Sequence, residues 1–201
     1  RAVDSISFEI ERGKALGIAG ESGCGKSSMA SAILRLLPSN GAYHGGSIIM
    51  DGQDLLRMPE EQFRKEIRWK RISMVFQGAM NALNPVHRVG EQIVEAILSH
   101  EDVSRAEAVS RAKELLELVG INPDRFSEYP HEFSGGMKQR SVIAMALACH
   151  PDLIIADEPT TALDVMVQAQ ILKALGELRE RLGLSMMLIT HDLSVIAQTC
   201  D

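Results

Sequence analysis

Cysteine is scarce in this chain: Cys24, Cys149 and Cys200 are the only three, and they lie far apart. Neither a disulfide framework nor a CxxC metal site can be built from them, and the spacing suits a reducing compartment. Long apolar runs are also missing. The longest, Val142 to Cys149, is eight residues, far short of the ~20 that cross a bilayer, so the chain is expected to be soluble by itself. Basic charge is outnumbered, with 21 lysines and arginines against 27 acids and no long basic run, which argues against a nucleic-acid groove. Internal repeats and low-complexity segments are absent. What is present is 45% hydrophobic residues over 201 positions, enough for one domain, or one domain with a sizeable insertion.

The most informative stretch is Gly20-Glu21-Ser22-Gly23-Cys24-Gly25-Lys26-Ser27. An apolar run, Ala15 to Ala19, precedes it, and a helical pattern from Ser28 to Leu37 follows, ended by Pro38. Strand, glycine loop and helix in that order are the setting of the phosphate-binding loop G-x-x-x-x-G-K-[ST]. Gly23 and Gly25 let successive N–H groups converge on one anion at the positive end of the helix. Lys26 then reaches the β- and γ-phosphates, and the Ser27 hydroxyl is suited to Mg²⁺. The plainer alternative is a glycine turn that merely joins strand to helix.

Taken in order, Val3 to Glu11 alternates as a half-exposed strand does, with a turn at Arg12-Gly13. Ser47 to Met50 reads as a strand, Pro59 to Lys70 as a surface helix, and Ile72 to Phe76 as a buried strand delivering Gln77 to a loop. From about Val89 to Cys149 the pattern is almost wholly helical. Ser104 with Glu107 predicts a capping box, Val109, Ala112, Leu116 and Val119 an apolar stripe, and Gly120 a C-cap. This stretch interrupts the strand–helix alternation and reads as an insertion. Alternation resumes with the strand Leu153 to Asp157, a helix from Val165 to about Leu182, and the strand Ser185 to Thr190, which ends at His191. The abrupt beginning and end suggest a fragment trimmed at both ends.

Asp157 and Glu158 fall at the C-terminal end of a buried strand, where open α/β sheets hold ligands. With Lys26 upstream, the first acid suits Mg²⁺ and the second a water-activating base. His191, at the end of the next strand, can hydrogen-bond a γ-phosphate or the attacking water. Ser134-Gly135-Gly136 opens a helix running from Met137 to Ala148. Helix capping accounts for it, and so does a second anion site, which one nucleotide rarely needs from one chain. A second copy of the chain supplies the other explanation.

The loop at Gly20 to Ser27, Gln77, the run Phe133-Ser134-Gly135-Gly136-Met137-Lys138-Gln139-Arg140, Leu153 to Pro159, Thr161-Ala162-Leu163-Asp164 and His191 occur in the order found in ATP-binding cassette ATPases. The resemblance covers nearly the whole chain. It implies an α/β fold: a P-loop NTPase core with a mainly parallel sheet, an antiparallel N-terminal β part and an inserted helical subdomain. The whole of 1–201 would be one cassette domain, with 1–88 and 150–201 as the core and 89–149 as the helical signature subdomain. Residue by residue, the Gly20–Ser27 loop with Ser28 and Gln77 would bind ATP, Ser27, Gln77 and Asp157 would serve Mg²⁺, and Glu158 would be the catalytic base. His191 resembles the histidine that senses the γ-phosphate. Asp164 resembles the acid of the loop that crosses the dimer. Ser134, Gly135 and Gly136 resemble the signature that contacts ATP held by a partner subunit.

Gln77 to Val86 is similar to the corresponding segment of oligopeptide, dipeptide and nickel importers, and Met137, where the family usually has glutamine, fits that subgroup. The implied partners are a second cassette, identical or homologous, membrane permease subunits and, indirectly, an extracytoplasmic solute-binding protein, with no nucleic acid. The implied place is peripheral, at the cytoplasmic face of the cell membrane. The family's adenine-stacking aromatic has no counterpart here, since Tyr43 follows the loop and Phe8 sits too near it, so it is expected before Arg1. The subgroup's C-terminal extension is likewise expected to lie outside the chain. Competing readings are an importer of nickel or a metal chelate, a cassette ATPase acting on DNA or ribosomes, and a non-hydrolysing module. The acidic balance opposes the second of these, and Lys26, Asp157, Glu158 and His191 together oppose the third.

Overall fold

The two central strands of the main sheet are buried on both faces, which is why they read as nearly unbroken apolar runs, while the edge strand at Ala15–Ala19 is only half-buried. The computed structural model describes residues 2–201. Its strands are β1 (Ala15–Ala19), β2 (Ile49–Met50), β3 (Gln53–Asp54), β4 (Ile72–Val75), β5 (Leu153–Asp157) and β6 (Ser185–Thr190). Its helices are α1 (Lys26–Ile33), α2 (Glu60–Glu66), α3 (Val89–His100), α4 (Arg105–Leu118), α5 (Gly135–Ala146), α6 (Val165–Leu182) and α7 (Leu193–Thr199). The main sheet is parallel in the order β1-β6-β5-β4, while β2 and β3 form a separate antiparallel pair.

The two-residue period of the strands sorts the core into two layers. Ile154, Ala156, Met186 and Leu188 face a cluster built by α3, α4, α5 and α6. Their neighbours Ile155, Met187 and Ile189 face Met29, Ala30, Ile33 and Phe63 from α1 and α2. Between β4 and β5 the chain passes through α3, α4, two short 3₁₀ turns at Pro123–Ser127 and Pro130–Glu132, and α5. These helices share one apolar cluster with the sheet face, so 89–149 is packed onto the core.

Several expected elements differ. Residues 3–11 form no strand, because alternation alone does not bring a second strand alongside, and Val3, Ile6 and Phe8 stay exposed. The antiparallel part of the fold is the β2–β3 hairpin instead. α1 stops at Ile33, a turn before Leu37, because Arg35 adopts a left-handed backbone at φ 55. Arg35 N–H then donates to Ala32 O and Leu36 N–H to Ser31 O, closing the helix in a Schellman arrangement. The cost of that conformation, about 1 kcal/mol, is offset as the guanidinium donates to Met58 O at 2.7 Å and lies over the Phe63 ring. The capping box is half made. Ser104 Oγ accepts from Glu107 N–H, but the Glu107 carboxylate turns to Arg111. At the far end of α4 Gly120, at φ 76, closes the helix as expected.

α2 also stops early, at Glu66, because the chain reverses at Trp69 to feed β4. Trp69 holds φ 70, an unusual backbone for a bulky residue, and its ring stacks on His100 at 5.2 Å between centroids. The stack joins the turn before β4 to the end of α3. Burial, the largest influence, holds the His100 pKa below the usual imidazole range, Lys70 and Arg64 add to this, and Glu101 opposes it. Beside it, burial and Glu101 push the Cys149 thiol up to about 12. Because the folded chain gives up the His100 proton more readily than the unfolded chain, this site's stability contribution is complete above the ordinary imidazole pKa of about 6.5. It is lost as pH falls from there towards the lower folded value. Urea unfolding followed by the fluorescence of Trp69, the sole tryptophan, is therefore expected to show a smaller loss of stability between pH 7.5 and pH 5.5 in His100→Gln than in the native sequence.

Candidate functional site

Because β1, β4, β5 and β6 are parallel, their C-terminal ends open on one edge of the sheet. The chain leaving β1 forms the Gly20 loop, the chain leaving β4 carries Gln77, Asp157 and Glu158 end β5, and His191 follows β6. In the loop Gly23 and Gly25 hold φ 84 and φ 102, and a Cβ on Gly25 would lie 2.2 Å from Ala2 O. Gly25 begins α1 without a side-chain cap, so the first N–H groups of the helix point at the loop. Lys26 is 9% exposed, and its Nζ donates to Gly20 O at 2.6 Å and Glu21 O at 2.7 Å. Glu21, Ser22, Cys24 and Ser27 are exposed, while Ser28 is half-buried.

Asp157 is the most buried acid of the site, 3% exposed. Burial pushes its pKa above the usual carboxylate range; the nearby Ser27 hydroxyl pulls the other way, Glu158 adds to the rise, and Lys26 opposes it. Among the described residues its Oδ1 has no hydrogen-bond partner. A desolvated carboxylate oxygen beside a serine hydroxyl is the donor set that a hard divalent cation such as Mg²⁺ takes, so Ser27 and Asp157 fit that role. Gln77 is turned elsewhere: its Nε2 donates to Glu158 Oε2 at 2.9 Å.

The Glu158 carboxylate gathers the edge together. Oε2 also accepts from Thr161 Oγ1 at 3.0 Å, and Oε1 lies 3.4 Å from His191 Nδ1. Its backbone is left-handed at φ 45, pinned by its N–H donating to Ile189 O. Strain of this kind, about 1–3 kcal/mol, persists only where surroundings enforce it. The side chain is 12% exposed and that of His191 68%, so one partner of the pair is fixed and the other open to solvent. Thr161 was not singled out by sequence reasoning as a partner of Glu158. Its spacing, three residues on, is a signal only when the intervening turn is known.

Ser134, Gly135 and Gly136 lie elsewhere. Ser134 Oγ accepts from Met137 N–H and caps α5. A Cβ on Gly136 would meet Val167 at 2.7 Å, and one on Gly135 would meet Leu163 at 3.2 Å, so the glycines let α5 approach the start of α6. Asp164 caps α6 by accepting from Val167 N–H at 3.0 Å. Among the described residues, no hydrogen bond joins these four positions to the Gly20 loop.

The family model described as "ABC transporter" matches residues 3–161. The chain belongs to the ABC transporter family. Among curated relatives it is 56% identical to a probable peptide ABC transporter ATP-binding protein, y4tR, of Sinorhizobium fredii, covering 100% of this chain and 61% of the relative. It is 49% identical to the oligopeptide transport ATP-binding protein OppD of Escherichia coli, with 100% and 59% covered. The chain thus spans about three-fifths of the length of these relatives. Among solved structures, the dimeric ATP-binding cassette MJ0796 in a post-hydrolysis state bound to ADP and Pi superposes with a TM-score of 0.81 at 31% identity, covering 96% of this chain and 82% of that one. CbiO1 of Clostridium perfringens gives 0.85 at 29% identity, covering 100% and 76%.

The edge of this ABC-family sheet carries a testable cost. Asp157→Asn removes a buried, partly unsatisfied charge while keeping the shape, so about 1–3 kcal/mol of desolvation is relieved. We expect the ligand-free unfolding temperature to rise by several degrees, and the added stabilisation by Mg²⁺ with nucleotide to disappear, both read by calorimetry.

Proposed function

We propose that the protein hydrolyses ATP as the nucleotide-binding subunit of an importer for oligopeptides or dipeptides. The observation that carries this reading is the Glu158 carboxylate, held by groups following three strands beside Asp157 and the phosphate loop. The peptide cargo is taken from the relatives' names, y4tR and OppD among them.

In this reading the Gly20–Ser27 backbone, the start of α1 and Lys26 hold the triphosphate, with Ser28 and Gln77 completing the contacts. Lys26 exchanges its loop carbonyls for phosphate oxygens. Ser27 and Asp157 would hold Mg²⁺, which when bound would neutralise charge on the phosphate oxygens. Glu158 orients a water in line with the γ-phosphorus and accepts its proton as the new P–O bond forms and the bond to the β-phosphate oxygen breaks. Gln77 and Thr161 keep the carboxylate aimed, and His191 Nδ1 sits where it can answer to the γ-phosphate. Positioning and charge stabilisation supply most of the rate, as phosphoryl transfer requires.

Ser134, Gly135 and Gly136 serve the other half of the assembly. They cap nucleotide held by a second cassette, identical or homologous, and Asp164 lies on the loop that crosses between the two. The exposed groove along α3, where His87, Glu91, Glu95 and Leu98 meet, receives a short helix of a membrane permease, and a solute-binding protein delivers cargo on the far side. The chain then sits peripherally on the cytoplasmic face of the membrane. Among the described residues no helix is long and apolar enough to cross it.

Glu158→Gln keeps the size and one acceptor oxygen for Gln77 and Thr161 but loses the group that takes the proton. With saturating Mg-ATP we expect phosphate release to fall by about 10²-fold or more and the chain to elute as a dimer with trapped ATP. A monomer under those conditions, or turnover equal to that of the native chain, would count against the reading.

A further inference from the structure

The connection between α4 and α5 has little regular structure, yet one side chain spans it. Arg125, in the first 3₁₀ turn, donates from Nε to Glu128 Oε2 at 2.7 Å, from Nη2 to Glu132 O at 3.0 Å, and from Nη1 to Met137 Sδ at 3.1 Å. Its Cζ lies 5.0 Å from the centroid of Phe133. The last two contacts fall immediately before and immediately after Ser134-Gly135-Gly136. Glu128 neutralises the guanidinium at close range, so the group acts here by its fork geometry more than by its charge.

The other end of the clamp is anchored on α3. Val89 N–H donates to Glu128 O, and the Phe126 ring packs so closely on Gly90 that a Cβ there would lie 2.2 Å from it. α3 begins where the loop that follows Gln77 ends. A continuous set of contacts therefore runs from that loop, through Val89 and Gly90, to Arg125, and on to both flanks of the α5 N-terminus.

We infer that Arg125 is a positioning residue for Ser134-Gly135-Gly136, setting the start of α5 relative to the loop after Gln77. The inference rests on the proposed reading that this helix end completes the nucleotide site of a partner chain. It assigns a role to a side chain outside every motif, and to Met137 as the surface that the guanidinium grips.

A defect in a group that serves the partner's site is complemented in a mixed dimer, whereas a defect in a chain's own loop is not. Phosphate release from Mg-ATP should fall by about 10-fold in Arg125→Ala. Arg125→Lys should not restore it, because an ammonium cannot reach Glu128, Glu132 O and Met137 together. Lys26→Ala should be inactive alone. An equimolar mixture of Arg125→Ala with Lys26→Ala should recover about a quarter of native turnover, since half the dimers are mixed and each has one intact composite site. Binding of a fluorescent ATP analogue to the Arg125→Ala chain should match the native chain, and Met137→Ala, which removes one contact of the clamp, should show a smaller and equally complementable loss. Ser134→Arg mixed with Lys26→Ala is the reference. If that mixture recovers and the Arg125→Ala mixture does not, or if Arg125→Lys is fully active, or if Arg125→Ala loses nothing, the inference is overturned while the proposed function stands. If the reference mixture also fails to recover, the shared-site reading falls and takes the inference with it.

Discussion

A carboxylate at the edge of the sheet, Glu158, is the constraint around which the rest is arranged. It sits where β5 ends, with Gln77 arriving from β4 and His191 from β6, and its own backbone is bent into a left-handed conformation to face them. Such an arrangement requires parallel strands in fixed register, because a shift of one residue would turn each end group to the opposite face. The apolar runs in β5 and β6, split evenly between two helical layers, are what fix that register. Stability of the core and aim of the acid are therefore one requirement.

The neighbouring acid illustrates the opposite economy. Asp157 carries a buried oxygen with no partner among the described residues and a pKa displaced upward by its desolvation. A protein optimised for stability alone would place an apolar or amide side chain there. Retaining the charge makes sense only if something positively charged completes it, which is why this one residue says more about chemistry than the exposed His191 does.

Much of this was legible beforehand, for a physical reason. Motifs such as Gly20–Ser27 and Leu153–Glu158 combine local backbone demands with a fixed place at a strand end, so their spacing carries the geometry. α6 was readable in the same way, since the helix expected from Val165 to about Leu182 has those bounds. Less legible were features that depend on partners distant in the chain. The alternation of 3–11 could not reveal that among the described residues no strand pairs with it, nor could the helical pattern to Lys70 reveal that Trp69 reverses the chain to meet His100. The bond from Thr161 to Glu158 and the contacts of Arg125 were not legible, because each depends on one set of contacts made only in the folded chain.

The single apolar cluster shared by α3, α4, α5 and the sheet limits how the start of α5 can travel. A lid joined by a hinge swings through open space, but helices interdigitated with a sheet can move only by shear, with side chains sliding past one another. Interfaces of that sort give small displacements, of about 1–2 Å each, between discrete packings. Any displacement of that helix end would then be the sum of many small slips across the helical layer, and the residues that set its amplitude would be core methyl groups far from the Gly20 loop.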